Sequence, residues 1–70
     1  MPMAYTIEHK LVESDPWHRI EPWDYLDLFK AHHQAHEYLY RSGGEVRIVS
    51  NGRVIMTAGI AKWIHEGNNS

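Results

Sequence analysis

The strongest hydrophobic pattern in the chain is helical and covers residues 22–41. Within it, apolar side chains recur at spacings of three and four residues, which is the repeat of one buried helix face. This stripe consists of Leu28, Ala31, Ala35 and Leu39, with charged and amide side chains on the opposite side. We therefore predict one amphipathic helix over residues 22–41. An aromatic and imidazole flank lies between the two stripes: Tyr25, Phe29, His32, His33, His36 and Tyr40.

Residues 5–12 alternate between apolar and polar side chains, which is the repeat of a half-buried strand. His9 shares the apolar face of this predicted strand with neighbours at every second position. We interpret His9 as a histidine at the sheet margin, with its ring packed and one ring nitrogen hydrogen-bonded. The apolar face consists of Tyr5, Ile7, His9 and Leu11.

Two β-branched runs, at residues 46–49 and 54–57, flank Asn51-Gly52, the preferred pair for a two-residue type I′ turn. We predict a β-hairpin over residues 45–58 whose register follows from this turn. On one sheet face this register leaves an apolar strip beside Arg47 that would need a cover. The strip consists of Val49, Val54 and Met56. The predicted pairs are Ser50 with Arg53, Val49 with Val54, Ile48 with Ile55, Arg47 with Met56, and Val46 with Thr57.

Shorter signals complete the predicted fold. Pro16 favours a single helical turn over residues 16–19, and the glycines at 43 and 44 end the long helix. Residues 60–66 predict a short C-terminal helix, followed by a frayed tail at 67–70. We predict a single α+β domain over residues 1–70, in the order β-α-β-β-α. It has a three-stranded antiparallel sheet with the long helix packed across it.

The composition fits one small domain. Seventy residues, 43% of them hydrophobic, can bury one marginal core, to which a homodimer or another partner would add stability. The absence of cysteine excludes disulfides and thiolate metal sites. The sequence has no leader pattern and no apolar run of membrane-spanning length, so we expect a cytoplasmic protein without membrane contact. A net charge of −2 does not favour bulk binding to nucleic acid.

Three of the six histidines cluster in the predicted helix as His32, His33 and His36. Either His32 or His33 can share an ion with His36, because residues three or four apart lie on one helix face. Zinc or nickel ions would be the expected metals. Two other interpretations stay open: a packed and hydrogen-bonded aromatic flank, or an interface that responds to pH. Candidates for a third metal ligand are His9, His18 and His65.

Residues that would support catalysis or nucleic-acid binding are sparse. The four serines lie in predicted turns or at the end of the sequence, without a nucleophile motif around them, so we predict a protein that is not an enzyme. Nucleic-acid binding through the hairpin is an alternative function. The predicted register weakens it, because Arg47 and Arg53 would lie on opposite faces of the hairpin.

A small protein-binding module is the function that these features favour most. Two Pro-Trp pairs lie in an acidic connector, where Trp17 and Trp23 could either anchor a partner or cover the open end of the core. The connector carboxylates could meet a basic groove on a larger protein. An inhibitor of the bacteriophage or mobile-element type would have this size, although no motif identifies a family. The predicted partner contacts are Trp17, Trp23, Asp24, Asp27, Arg47, Val49, Val54 and Met56.

Overall fold

Four strands and one helix make up the regular structure of residues 3–59, the part of the chain that the computed structural model describes. The sheet is antiparallel with the order β2-β1-β3-β4, so the predicted α+β class is confirmed, but there are four strands and not three. The predicted C-terminal helix at 60–66, the tail at 67–70 and His65 lie outside the described residues. The elements are β1 (Thr6–Lys10), β2 (His18–Arg19), α1 (Leu28–Ser42), β3 (Glu45–Ser50) and β4 (Arg53–Gly59).

The additional strand, β2, takes the place of the helical turn predicted at residues 16–19. It pairs antiparallel with β1, with Arg19 opposite Glu8. The backbone N–H of Ile20 extends this pairing by donating to the Ile7 carbonyl at 3.1 Å. The turn prediction is wrong because a proline at a possible first helical position does not outweigh the backbone hydrogen bonds available along the free edge of β1.

The helix begins at Leu28, later than predicted. Tyr25 is still extended, because its backbone exchanges two hydrogen bonds with Tyr5, of 2.7 and 2.8 Å. Asp27 then caps the helix, since its Oδ1 accepts from the backbone N–H of Phe29 at 2.9 Å. A strand-like pairing and a carboxylate cap therefore set this boundary, and the proline at the predicted start does not.

The helix buries its apolar stripe against the sheet. Ala31, Ala35 and Leu39 are buried as predicted, whereas Leu28, in the first turn, is exposed. Alanine at the two central positions lets the helix lie close to the strands, because its side chain ends at Cβ. The core consists of Ile7, Ala31, Ala35, Leu39, Val46 and Ile48, surrounded by Tyr5, Ile20, Tyr25, Tyr38, Met56 and Ala58.

Two glycines end the helix, as predicted, and they do so for different reasons. Gly43 has a φ of 70°, and its backbone N–H donates to the Leu39 carbonyl at 2.8 Å, which closes the last turn. Gly44, with a φ of 79°, lies directly against β1. A Cβ on Gly44 would collide with the Lys10 carbonyl oxygen and lie 2.9 Å from Cα of Leu11. The second glycine therefore lets the chain pass into β3 beside β1.

The hairpin turn between β3 and β4 is confirmed. Asn51 and Gly52 both have positive φ, 53° and 74°, as a type I′ turn requires. The residues that flank the turn, Ser50 and Arg53, pair as predicted. The turn residues therefore determine where the chain reverses, and the strands keep the predicted register next to the turn.

A β-bulge shifts the register beyond the pair of Val49 with Val54. Ile48 pairs with Met56 and not with Ile55, so Ile55 is the extra residue of β4. Met56 consequently lies on the helix side of the sheet, packed against the core. The predicted pairs beyond Val49 are wrong because a run of β-branched residues does not reveal where the alternation slips. The observed pairs are Arg47 with Thr57, Val46 with Ala58, and Glu45 with Gly59.

Candidate binding surfaces

The sheet face that points away from the helix is covered in part by Trp17. Two cations flank its ring: Nζ of Lys10 lies 4.8 Å and Cζ of Arg47 lies 4.4 Å from the ring centroid. Both distances are within the range of cation–π attraction. The half-buried Trp17 therefore packs with charged strand residues and does not cover the end of the core. We call this surface the open sheet face: Thr6, Glu8, Lys10, Trp17, Arg19, Arg47, Val49, Val54 and Thr57.

Ion pairs hold the polar groups of the open sheet face together. Nε of Arg47 donates to Oε1 of Glu8 at 2.6 Å, and both side chains are half-buried. At the β2 edge, Oδ1 of Asp24 accepts from Arg19 at 2.9 Å and from Oγ1 of Thr6 at 2.8 Å. These side chains find their partners within the chain, so an incoming molecule would have to displace those contacts.

The apolar part of the open sheet face is smaller than predicted. Val49 is half-buried and faces Val54, which is exposed. Met56 packs on the opposite side because of the bulge, and the residue opposite Arg47 is the polar Thr57. The expected apolar face is thus corrected to a pair of valines beside a charged network.

The predicted acidic contacts also have partners inside the chain. Asp24 accepts side-chain hydrogen bonds at the sheet edge formed by β2, and Asp27 caps the helix. Glu21 accepts a hydrogen bond from the Tyr25 hydroxyl. Burial, followed by this hydrogen bond, raises the pKa of Tyr25. Partner binding by Asp24 and Asp27 stays a prediction, and a basic groove would compete with their existing contacts.

The side of the helix opposite the core carries a stripe of aromatic and imidazole side chains. Phe29, His33, His36 and Tyr40 follow one another at spacings of four, three and four residues, so they share one face. The two ends of the stripe are strongly exposed, Phe29 by 84% and Tyr40 by 89%. Together with His32 at its margin, this stripe is the outer helix face.

Further apolar side chains are exposed where the chain enters the helix. Trp23, a predicted contact, is 56% exposed, and Leu26 is 71% exposed. We call Trp23, Leu26 and Leu28 the helix-entry patch. Exposed large apolar side chains that are grouped in this way are typical of interaction sites. A cavity of about 590 Å³ lies at the helix start and is lined by Asp27, Leu28, Phe29 and His32.

Sequence reasoning did not select Phe29, Tyr40 or Leu26 as partner contacts, although Phe29 and Tyr40 belong to the aromatic flank that it identified. The available signal was the spacing of four, three and four residues on the side opposite the alanines. Because this spacing is the same as that of a packed helix face, it indicates a second contact surface on one helix.

The structure brings two of the helix histidines together. The rings of His32 and His36 have centroids 4.5 Å apart and are tilted by 43°. Of the two pairs that the spacing allowed, the structure thus joins the residues four apart. Both side chains are exposed on the outer helix face.

His9 lies apart from this pair, at the junction of β1 and the helix end. Its Nε2 donates to the Gly43 carbonyl at 2.8 Å, since a carbonyl oxygen can only accept. Its ring meets Tyr38 edge-on, with centroids 4.7 Å apart. The predicted packed and hydrogen-bonded histidine is confirmed. Within residues 3–59, no three side chains of histidine, aspartate or glutamate gather as a metal site would require.

Comparisons of the chain with protein-family models, with curated proteins and with solved structures give no significant match. Among the described residues, no helix has the length and apolar character needed to cross a membrane. A functional proposal for this chain therefore depends on the surfaces described above.

Proposed function

We propose that the protein is a small protein-binding module, not an enzyme, and that it binds its partner through the outer helix face and the helix-entry patch. The observation that carries the proposal is the exposure of Phe29 and Tyr40 at opposite ends of one helix face, by 84% and 89%. A contact that covers both rings spans about 16 Å of helix, since each residue advances the helix by about 1.5 Å.

Free energy for binding would come from removing these side chains from water. Burying one large apolar side chain contributes about 2–3 kcal/mol, and an aromatic ring adds contacts of defined geometry. In the chain alone, Phe29 and Tyr40 gain little of this free energy because they stay largely in water. The expected partner is a protein with an apolar groove that accepts one helix face, a recognition mode that uses anchors at spacings of three and four residues.

The open sheet face is less suited to partner binding, because its aromatic and charged side chains already contact one another. Its aromatic ring, Trp17, is flanked by Lys10 and Arg47, and Arg47 is paired with Glu8. The same contacts disfavour the nucleic-acid alternative, because a cation that is already paired gains less from a phosphate. The two exposed rings of the outer helix face could be buried by a partner without first losing contacts of this kind.

Inhibition by occlusion is the mode of action that we propose for this module. Filling a groove on a larger host protein would exclude the groove's usual occupant, and this requires no catalytic group. An inhibitor of the phage or mobile-element type would act in this way. The chain would then need only a rigid helix on a small scaffold, in which the contact residues are already ordered.

Site-specific photo-crosslinking tests the proposal. The phenylalanine analogue p-benzoylphenylalanine would replace Phe29 or Tyr40 in the full chain, expressed in its native cells, with Thr57 on the open sheet face as the matched control position. We expect the same protein to be crosslinked from Phe29 and from Tyr40, and not from Thr57. A protein captured from Thr57 alone would place the binding surface on the sheet and contradict the proposal.

Charge substitutions give an independent check on the same surface. Phe29→Asp and Tyr40→Asp should abolish co-purification of the crosslinked protein, because a carboxylate cannot be buried unpaired in an apolar groove. Thr57→Asp should leave it intact. All three variants should keep their unfolding free energy within about 0.5 kcal/mol of the parent chain, because the positions are exposed.

A further inference from the structure

We propose that His32 and His36 form half of a binding site for a zinc-like divalent cation, and that the same pair from a second copy of the chain completes it. This site lies on the outer helix face, but it does not depend on the proposed function and would stand if no other protein bound there. It starts from the contact between the two imidazole rings.

The distance between the rings fits a shared cation. Zinc binds imidazole nitrogen at about 2.0–2.1 Å, so two rings on one ion, at angles from 90° to tetrahedral, have centroids about 4.5–5.2 Å apart. The observed separation of 4.5 Å lies within this range. Because His32 and His36 are both exposed, their rings can turn their nitrogens toward an ion without disturbing the core.

Two ligands leave the coordination of zinc incomplete, because a structural zinc site has four. His9 does not supply a third, since its Nε2 is bonded to the Gly43 carbonyl. No third histidine, aspartate or glutamate joins the pair in the described part of the chain. A two-fold axis between two identical helices would bring two such pairs together and provide four imidazoles.

The helix sequence suits an antiparallel arrangement about this axis. If the axis passes at the level of Gln34, His32 of one copy lies level with His36 of the other.

The exposed rings of the outer helix face also match in this arrangement. Phe29 of one copy lies within one residue of the level of Tyr40 of the other, so each ring would cover the other. A contact along about 16 Å of a single helix is short, and interfaces below about 1,000 Å² rarely hold a stable dimer. We therefore expect the cation to be required for dimer formation.

Native mass spectrometry of the full, untagged chain tests this inference. The chain is first freed of metal with a chelator, and zinc chloride is then added. We expect a complex of two chains with one zinc ion, which EDTA converts back to monomers. His32→Ala and His36→Ala should lose this complex, whereas His33→Ala and His18→Ala should keep it as matched controls.

Other results would overturn the inference. These are a zinc adduct of one chain without a dimer, a dimer that persists in His32→Ala and His36→Ala, or a dimer that needs His65 but not His36. Circular dichroism of each variant would verify that the exposed substitutions leave the fold unchanged. Photo-crosslinking from Phe29 in cell extract with and without EDTA separates this inference from the proposed function, because partner capture should persist when zinc is removed.

Discussion

The open sheet face and the outer helix face both carry aromatic side chains. The aromatic ring on the sheet is packed against neighbouring side chains, whereas the rings on the helix are exposed. Trp17 is half-buried between two cations of neighbouring strands, whereas Phe29 and Tyr40 are almost fully exposed. The difference shows that aromatic content alone does not identify a binding surface. What matters is whether the rest of the chain can reach the ring.

Geometry explains why the two surfaces differ. Side chains on adjacent strands lie about 5 Å apart on the same face, so Lys10 of β1 and Arg47 of β3 are both within reach of Trp17 beside β2. The outer face of a helix that packs on a sheet points away from every described strand. Its side chains therefore remain without contacts from the sheet and are available to another molecule.

The largest expected effect concerns Gly44, which lies in the short connection between α1 and β3. Gly44→Ala should lower the free energy of unfolding by about 3 kcal/mol, because a positive φ and a collision with Lys10 act together. Gly43→Ala, also at positive φ but with open space around its Cβ, should lower it by only about 1 kcal/mol. Urea denaturation measures both, and equal losses would show that Gly44 does not lie tightly against β1.

The next prediction compares the two kinds of ring directly. Trp17→Ala should lower the free energy of unfolding by about 2 kcal/mol, because it removes half-buried area and two cation–π contacts. Phe29→Ala should change it by no more than about 0.5 kcal/mol, since the side chain is 84% exposed. Thermal and urea unfolding measure the loss of unfolding free energy in both variants. Equal losses would contradict the distinction between a packed ring on the sheet and an exposed ring on the helix.

An ion pair of the open sheet face should contribute more to stability than an ion pair of the helix surface. A double-mutant cycle on Glu8 and Arg47, with alanine at each position, should give a coupling of about 1 kcal/mol, because the pair is close and half-buried. The pair of Glu37 and Arg41 on the helix, with 3.7 Å between charged atoms and more exposure, should give about 0.3 kcal/mol. A stronger coupling on the helix would contradict the assignment of a self-paired sheet face.

The smallest expected effect is a pH dependence at Tyr25, whose hydroxyl bonds Glu21 beside the helix-entry patch. Burial and this hydrogen bond raise the pKa of Tyr25 above its ordinary value of 10.0, so the folded chain favours the neutral phenol. The resulting stabilisation is complete below pH 10 and is lost as the pH rises through the folded-state pKa. Unfolding curves from pH 8 to 11 should show a smaller alkaline loss of stability in Tyr25→Phe; identical slopes would contradict the raised pKa.

Local signals in the sequence predict much of this fold. Asn51-Gly52 identifies the hairpin turn because few residue pairs adopt positive φ twice, and the stripe of Ala31, Ala35 and Leu39 identifies the buried helix face. The start of the helix depends instead on Tyr25 pairing with Tyr5, a contact between distant residues that no local pattern contains.

The composition of the open sheet face was harder to predict for the same reason. The β-bulge at Ile55 moves Met56 to the core side, which changes the composition of the sheet face that the sequence predicted to be apolar. Whether Trp17 is covered depends on β2 lying beside β1, and the short β2 has no pattern of its own. The pairing of His32 with His36, by contrast, follows from helical spacing and was among the predicted possibilities.

Hydroxyl-radical footprinting would compare the unsubstituted chain alone with the same chain bound to the protein that crosslinking identifies. We expect Phe29 and Tyr40 to react strongly in the free chain and to be protected in the complex, while the reactivity of Trp17 stays the same. Protection of Trp17 with unchanged reactivity of Phe29 and Tyr40 would contradict binding through the outer helix face and assign it to the open sheet face.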